Sequence, residues 1–369
     1  MDNITVIGIG KLGLGFALLL EDAGYNVCGV DIFSNYVDKL NNKEYKTSEP
    51  YYENMLKKSK NFIATTNLQT GLTHSDIIFI IVQTPNGGGD KFYDHSILSN
   101  LLCKINSYEV SNKNLIIGCT VMPTYIDNIG KSLIDRCKNT HLSYNPEFVA
   151  QGEIIHGFKN PDIVLLGTNN KLLPNIIENI YRNIIKKEKY FRLCILTPLE
   201  AEIVKIALNG YITTKLSYAN MISDVCDQVG ADKECVLESI GYDSRIGNKY
   251  FKPGYSFGGP CFPRDTKALK LFVDKCNINS DILAGTTKMN EEHIIYQANQ
   301  LLKLNKEQYV IEDVCYKDGV DIPLIEESAK LKIAKILVEN GKTVIIKDNE
   351  LIINEVKKEY GNLFKYSCI

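Results

Sequence analysis

ITVIGIGKLG, at residues 4–13 of this 369-residue chain, joins an apolar run typical of a buried strand to a glycine-rich turn and a helical segment. Gly8, Gly10 and Gly13 fit the spacing GxGxxG, which permits a tight turn and close approach of a pyrophosphate to the helix N-terminus. Asp31 ends the next predicted strand, at the usual distance for a carboxylate that binds a ribose 2′-hydroxyl. Glycine-rich turns occur in other α/β folds, but this flanking pattern predicts a dinucleotide site, with Lys11 and Leu12 in the loop.

NAD is the cofactor predicted for this site, because an acidic group at Asp31 would repel the 2′-phosphate of NADP. Predicted strands at residues 4–8, 26–31, 76–82, 114–119 and 162–167 alternate with helical segments such as 14–23 and 97–105. Strands separated by helices indicate a doubly wound parallel sheet. We therefore predict an α/β protein with an N-terminal Rossmann-like domain at residues 1–195.

Residues 198–229 contain no proline after the first residue, and this length corresponds to a helix of about 45 Å at 1.5 Å per residue. Its apolar positions are broad, which favours burial on several sides. They predict a central helical domain at residues 196–298 and a homodimer or larger homo-oligomer built on this helix. Strands at 309–314 and 343–348, joined by a helix at 326–339, predict a reduced Rossmann-like domain at 299–369.

The charge and the cysteine content of the chain indicate which classes of partner and which compartment to expect. A net charge of −2 and a pI near 6.3 predict neither nucleic acid nor a membrane as a partner. Eleven cysteines form no CxxC pair and no close Cys/His spacing, and no signal peptide precedes the first strand. These features predict free thiols in a reducing, cytoplasmic setting and no metal site.

FGGPCFPRD, at residues 257–265, marks one cysteine out from the others. Cys261 precedes a predicted helix start at Pro263, and a helix N-terminus lowers the pKa of a thiol. Asp265 follows four residues later. A cysteine without this context is more often a small buried hydrophobe, so the surrounding motif carries the prediction of a nucleophile.

Lys205 and Asn209 are four residues apart on the long predicted helix and therefore share a face. A lysine on a mostly apolar helix is costly unless it is paired, functional or able to reach solvent along its stem. An ammonium group beside a reacting oxygen could stabilise a developing oxyanion. The asparagine amide could donate to the same oxygen.

With these residues in view, the chain resembles the UDP-glucose/GDP-mannose dehydrogenase family from residue 1 to about residue 290. The strongest matches are VQTP (82–85), CTVMP (119–123), NPEFVAQG (145–152), AEIVKIALNGY (201–211) and DSRIGNKYFKPGYSFGGPCFPRD (243–265). The resemblance implies two Rossmann-like domains joined by a helical domain around one long helix. It also implies an NAD-dependent oxidation of a nucleotide sugar.

The resemblance assigns catalytic roles to six residues. Cys261 would be the covalent nucleophile, while Lys205, Asn209 and Asp265 would hold the reacting oxygen and a water. Glu147 would act as base in thioester hydrolysis, and Thr120 would orient the water. Taken alone, Glu147 would be interpreted as a capping carboxylate and Thr120 as an ordinary strand threonine.

The resemblance also implies binding residues. The cofactor site would include Thr84, Pro85, Thr120 and Gln151, beside the glycine loop and Asp31. Arg245 would reach the substrate from a partner subunit through its guanidinium fork, although a surface ion pair is the alternative. The nucleotide sugar would also contact Phe148, Val149, Lys205, Asn209, Lys252, Tyr255, Phe257, Gly258 and Lys317.

Several residues depart from the family pattern. Gln151 replaces the usual glutamate, Tyr36 stands where a basic residue often follows the ribose ligand, and Asp313 replaces a glycine. Glu326 replaces an arginine that reaches the cofactor pyrophosphate. We expect this charge reversal to weaken NAD binding by roughly tenfold, unless the Glu326 helix is turned away from the cofactor.

The leading functional prediction is a four-electron oxidation of UDP-glucose to UDP-glucuronate through a cysteine thioester. The same chemistry on GDP-mannose or a UDP-N-acetylhexosamine is an open alternative. A two-electron β-hydroxyacid dehydrogenase shares the domain plan but needs no cysteine. A catalytically silent nucleotide-sugar-binding relative is favoured by Gln151, Glu326 and the short C-terminal region, and disfavoured by the intact catalytic residues.

Overall fold

The computed structural model describes residues 2–185, 190–320 and 322–369. It divides into two compact units, Met1–Lys205 and Ile206–Ile369. The strands are β1 (Asn3–Ile7), β2 (Asn26–Val30), β3 (Phe62–Thr65), β4 (Ile77–Ile80), β5 (Asn114–Ile117), β6 (His141–Tyr144), β7 (Ile163–Gly167), β8 (Arg192–Leu196), β9 (Gln308–Glu312), β10 (Thr343–Asp348) and β11 (Lys365–Cys368).

The helices vary in length from one turn to nearly nine turns. They are α1 (Lys11–Asp22), α2 (Ser34–Asn41), α3 (Tyr52–Lys58), α4 (Leu68–His74), α5 (Ser96–Ser107), α6 (Tyr125–Asn128), α7 (Ile154–Lys159), α8 (Leu173–Ile185), α9 (Pro198–Val229), α10 (Lys233–Gly241), α11 (Phe262–Lys275), α12 (Asp281–Lys303), α13 (Ala329–Glu339) and α14 (Glu350–Tyr360). A short 3₁₀ helix covers Gly130–Ile134. Within the described ranges, no helix combines the length and apolar character needed to span a membrane.

The first unit contains an eight-stranded sheet in the order β3-β2-β1-β4-β5-β6-β7-β8. All neighbouring strands are parallel except β6 and β7, which pair antiparallel at Tyr144 and Gly167. The chain crosses from one side of β1 to the other when it passes from β3 to β4. This confirms the predicted doubly wound Rossmann-like sheet. Strands β3, β6 and β8 were not predicted.

Helices cover both faces of this sheet, so its central strands are apolar on both sides. On β1, Ile4 and Val6 belong to the core shared with Phe16 on α1, whereas Ile7 belongs to the core on the opposite face. Thr5 is fully buried, and its hydroxyl donates to the carbonyl oxygen of Gly71 at 2.8 Å. The buried strand end of β1 therefore holds the following glycine loop in a fixed place.

The long helix α9 has the bounds predicted from the sequence, Pro198–Val229, and confirms the helical element expected in the middle of the chain. The boundary between the two compact units falls inside it. The three-domain division at 195 and 298 remains a prediction.

The second unit contains a three-stranded parallel sheet in the order β11-β10-β9, which confirms a reduced C-terminal Rossmann-like region. The predicted helix start at Glu326 is wrong, because α13 begins at Ala329. The side chain of Ser328 accepts the backbone N–H of Leu331 at 3.3 Å and caps this helix. Glu326 consequently lies before the helix rather than on it. Strand β11 was not predicted.

Candidate active site

The loop between β1 and α1 has the backbone that a dinucleotide-binding turn requires. Gly8 has φ +86°, and a Cβ there would lie 2.5 Å from the carbonyl oxygen of Ile81. A Cβ on Gly13 would lie 1.9 Å from the carbonyl oxygen of Gly8. Gly10 precedes α1, and no described atom outside its own local backbone lies within 4 Å of its Cβ position. Open space at a helix N-terminus fits a pyrophosphate.

Two tyrosine hydroxyls fix this loop. The hydroxyl of Tyr36 donates to the carbonyl oxygen of Ile9 at 2.6 Å, and that of Tyr52 donates to the carbonyl oxygen of Lys11 at 2.7 Å. Burial raises the pKa of both tyrosines well above their usual range, so both remain protonated donors. The sequence marked Tyr36 only as a departure, and nothing in it marked Tyr52.

The other predicted cofactor residues lie at the carboxyl ends of neighbouring strands. Asp31 follows β2, and its Oδ1 accepts the backbone N–H of Phe33 at 3.3 Å. Thr84 and Pro85 follow β4, and the hydroxyl of Thr84 donates at 2.9 Å to the carbonyl oxygen of Thr120, after β5. The sheet reverses its order between β1 and β4, the position where open α/β sheets bind ligands. The fold thus gathers these residues at one edge.

Glu147 and Lys205 meet in the first unit. The ammonium of Lys205, which is buried, donates to the backbone carbonyl of Glu147 and lies 4.4 Å from the centre of the Phe148 ring. The hydroxyl of Tyr181 donates to Oε1 of Glu147 at 3.2 Å. Burial raises the pKa of Glu147 to about 8, while the Tyr181 hydrogen bond and the Lys205 charge lower it. A carboxyl that ionises near neutral pH suits a general base.

Tyr181 illustrates a residue that sequence reasoning missed. It lies on α8, an amphipathic helix in which nothing distinguishes it from other core residues. Its hydroxyl also lies 3.0 Å from Oδ1 of Asn145, so it contacts two residues of the NPEF motif. Only the tertiary structure reveals this contact, because Tyr181 and Glu147 are 34 residues apart.

The remaining part of the NPEFVAQG loop is anchored by a carboxylate from an earlier segment. Both carboxylate oxygens of Glu49, which is buried, accept the backbone N–H of Gly152, at 2.9 and 3.1 Å. Val149 packs against Gly157, where a Cβ would lie 2.8 Å from a Val149 methyl carbon. Gln151 therefore lies in a loop whose ends are both fixed. Its predicted cofactor role remains a prediction.

In the second unit, Cys261 is exposed and occupies the N-cap of α11. The N-terminus of a helix favours a thiolate there. One turn later, Asp265 is buried, and its Oδ2 accepts the side-chain amide of Asn209 at 2.6 Å. The backbone N–H of Asp265 donates to the carbonyl oxygen of Cys261 at 2.7 Å. Three of the six predicted catalytic residues therefore belong to one local cluster.

Buried cysteines contrast with Cys261. Burial raises the pKa of Cys119 to about 12 and that of Cys28 and Cys315 to about 11. These thiols stay protonated at neutral pH and are poor nucleophiles.

The predicted substrate loop, residues 252–258, is held by its backbone. Asn290 on α12 accepts the N–H of Phe257 at 2.8 Å and donates to its carbonyl oxygen at 3.0 Å. The side chain of Asn220 on α9 donates to the carbonyl oxygen of Tyr255 at 3.2 Å. These bonds fix the loop while Tyr255 and Lys252 remain exposed. Asn290 was not predicted as a site residue.

Arg245 and Lys317 lie elsewhere in the second unit. The exposed guanidinium of Arg245 forks onto Asp243, with Nε–Oδ1 at 3.0 Å and Nη2–Oδ2 at 2.7 Å. This is the surface ion pair considered from the sequence, and the substrate role of Arg245 remains a prediction. Lys317 lies in the segment between β9 and α13, and its predicted contact with substrate remains a prediction too.

The glycine loop and the order of the sheet together define an NAD-binding domain of the Rossmann type. The chain belongs to the UDP-glucose/GDP-mannose dehydrogenase family: the model of the family's NAD-binding domain matches residues 2–185, and that of its central domain matches residues 199–292. The family membership inferred from the motifs is thereby confirmed.

Individual relatives agree with this family. The chain is 29% identical over 376 residues to a UDP-glucose 6-dehydrogenase of Rickettsia felis, covering 98% of this chain and 82% of the relative. A solved UDP-glucose dehydrogenase of Pyrobaculum islandicum matches with a TM-score of 0.88 and 24% identity, covering 100% of this chain and 86% of that one. A UDP-D-ManNAc dehydrogenase of Pyrococcus horikoshii matches with a TM-score of 0.80 and 23% identity, covering 94% and 83% respectively.

Cys261 and Cys276 offer an internal test of thiol reactivity, because they flank opposite ends of α11 and both are exposed. The N-terminal end of a helix stabilises an anion, whereas the C-terminal end disfavours one. We expect iodoacetamide at neutral pH to modify Cys261 about tenfold faster than Cys276. Peptide mass spectrometry after timed quenching measures both rates in one sample. Unfolding in urea should equalise them, and equal rates in the folded protein would contradict a helix-stabilised thiolate.

Proposed function

We propose that this protein oxidises UDP-glucose to UDP-glucuronate, using two molecules of NAD for each sugar. The observation that carries the proposal is the exposed Cys261 at the N-terminus of α11, one turn before the Asn209–Asp265 pair. A dehydrogenase that stops at the aldehyde has no need of such a nucleophile. The relatives named UDP-glucose 6-dehydrogenase support this choice of sugar.

In the first oxidation, the primary alcohol of the sugar loses a proton and a hydride and becomes an aldehyde. NAD, when bound, accepts a hydride in each of the two oxidations. The buried ammonium of Lys205 stabilises the negative charge that develops on the reacting oxygen, and the Asn209 amide donates to that oxygen. Asp265 orients this amide by accepting its hydrogen bond at 2.6 Å.

In the second oxidation, the Cys261 thiolate forms a C–S bond to the aldehyde carbon and gives a thiohemiacetal. Loss of the remaining hydride from that carbon leaves a thioester. Water then adds to the thioester carbonyl, the C–S bond breaks, and the carboxylate product and free thiolate are released. Glu147 in its ionised form takes the proton of the attacking water, and Thr120 orients that water.

The same chemistry on another nucleotide sugar is the alternative proposal. The family name includes GDP-mannose, and the Pyrococcus horikoshii relative is a UDP-D-ManNAc dehydrogenase. The substrate loop is fixed through backbone groups of Phe257 and Tyr255, which carry no preference between sugars. These backbone contacts are therefore compatible with each of the alternative sugars.

We propose further that the protein assembles as a homodimer or larger homo-oligomer through α9. Four apolar side chains on the second-unit part of this helix are exposed in the single chain: Tyr211, Tyr218, Val225 and Val229. The first three are spaced by seven residues and therefore form a stripe along one face. An exposed apolar stripe of this length is typical of an interface between proteins.

The substrate and the mechanism are tested together by NADH release from a panel of UDP-glucose, GDP-mannose and UDP-N-acetylhexosamines. We expect UDP-glucose to give the highest kcat/KM and two NADH per sugar consumed. Cys261→Ala should abolish the steady-state formation of UDP-glucuronate, give at most one NADH per sugar and leave NAD affinity nearly unchanged, whereas Cys276→Ala should behave as the wild type. Two NADH per sugar from Cys261→Ala would sink the thioester mechanism, and a preferred GDP-mannose would overturn the substrate.

The raised pKa of Glu147 predicts how thioester hydrolysis depends on pH. Below pH 8 the carboxyl is mostly protonated, so hydrolysis should rise about tenfold per pH unit and level off near pH 8. Tyr181→Phe removes a hydrogen bond that lowers this pKa, and the plateau should move to higher pH. Acid quenching and intact mass of the Cys261 adduct measure the decay. Tyr190→Phe is the control, and a pH-independent wild-type rate would exclude Glu147 as the base.

The assembly is tested by placing a charge on the exposed stripe of α9. Val225→Glu should convert the oligomer to a monomer at micromolar concentration, because association would remove the new carboxylate from water at a large cost in free energy. Sedimentation velocity measures the change, with the exposed Leu172→Glu as control. A wild-type protein that is monomeric and fully active would contradict both the assembly and a partner-supplied Arg245.

A further inference from the structure

The two glycines before Cys261 lie directly against residues from the C-terminal part of the second unit. The backbone N–H of Gly259 donates to the carbonyl oxygen of Glu326 at 3.0 Å. A Cβ on Gly258 would lie 2.3 Å from the carbonyl oxygen of Glu327. Gly259 has φ +79°, and a Cβ there would lie 2.7 Å from a ring carbon of Tyr316. These distances leave no room for a side chain at either position.

Tyr316, Glu326 and Glu327, which we term the clamp, are themselves fixed to the C-terminal core. The backbone N–H of Tyr316 donates to the carbonyl oxygen of Leu324 at 2.8 Å. Ser328, which caps α13, donates through its hydroxyl to the carbonyl oxygen of Val314 at 2.6 Å. Leu324 and Val314 are both buried in the core around β9 and β10. The clamp therefore presents a firm surface to the cysteine loop.

Charge adds to this contact. The carboxyl of Glu326 is partly buried, which raises its pKa, and the positive charge of Arg264 lowers it. Arg264 belongs to the first turn of α11, three residues after Cys261. Glu326 consequently faces a cation in its own unit. Its backbone carbonyl accepts from Gly259, two residues before Cys261, and its carboxyl interacts with Arg264, three residues after Cys261.

We propose that the clamp positions Cys261 for attack on the aldehyde, with Tyr316 as its main positioning residue. The proposal rests on the proposed thioester chemistry. Attack requires the sulfur to reach a near-attack distance of about 3–3.5 Å, and a displacement of about 1 Å costs on the order of a hundredfold in rate. Cys261 is two residues from Gly259, so backbone motion at that glycine displaces the sulfur. The first oxidation does not use the sulfur and is insensitive to the clamp.

Tyr316→Ala tests this role, because it removes the ring that confines Gly259. The second oxidation should slow by about tenfold or more, so that aldehyde escapes and the yield falls from two NADH per sugar towards one. Tyr316→Phe keeps the ring and should still give two NADH per sugar. Iodoacetamide labelling of Cys261 relative to Cys276 should lose its selectivity in Tyr316→Ala only. Tyr190→Ala, at an exposed position, is the matched control.

A purely structural role for Tyr316 would lower both oxidations equally and leave two NADH per sugar, which would overturn the proposal. If circular dichroism shows that Tyr316→Ala does not fold, Gly258→Ala replaces it. Gly285→Ala is the control there, because its Cβ would meet no described atom within 4 Å outside the local helix backbone. Two NADH per sugar from Gly258→Ala would likewise overturn the clamp. Failure of the thioester mechanism is seen separately, as full stoichiometry in Cys261→Ala.

Discussion

Backbone contact at Gly8 and Gly13 brings the N-terminus of α1 to the carboxyl end of β1, and the rest of the first unit is arranged around that contact. A Cβ at Gly13 would lie 1.9 Å from the carbonyl oxygen of Gly8, so no side chain fits there. The tyrosines Tyr36 and Tyr52 then hold the loop through its carbonyls. The loop is therefore preorganised, and an anion can bind its helix N-terminus without a rearrangement of the backbone.

The second unit uses the same physical device for a different anion. Glycines at 258 and 259 permit close contact with the clamp, and the chain then enters α11 at Cys261. In α1 the helix N-terminus is suited to a phosphate, whereas in α11 it is suited to a thiolate. Both loops depend on positions where a Cβ cannot be accommodated. The two glycine motifs of this chain thus serve to place helix ends as much as to make turns.

Desolvation raises the pKa of two carboxyls in the first unit, and their hydrogen-bond partners distinguish them. Burial raises the pKa of Glu147 to about 8 and that of Glu202 to about 7, so both carboxyls ionise near neutral pH. Glu202 accepts the N–H groups of Thr124 and Ile126 at 2.7 and 2.8 Å and so holds the chain that follows Thr120. The carboxyl of Glu147 instead accepts one hydrogen bond, from the hydroxyl of Tyr181, and the backbone carbonyl of Glu147 accepts from Lys205. The difference in partners gives Glu202 a structural role and leaves the carboxyl of Glu147 available for the base role proposed for it.

The sequence by itself determined the strand–glycine–helix unit, Asp31, the bounds of α9 and the position of Cys261 at a helix start, because each is encoded in one continuous stretch of the chain. It could not indicate the short strands β3, β6, β8 and β11, which are strands chiefly because a neighbour pairs with them. Only the tertiary structure decided that Tyr181 contacts Glu147 and that Tyr316 confines Gly259. Those contacts join segments dozens of residues apart, and burial, which sets the pKa values, is a property of the packed chain.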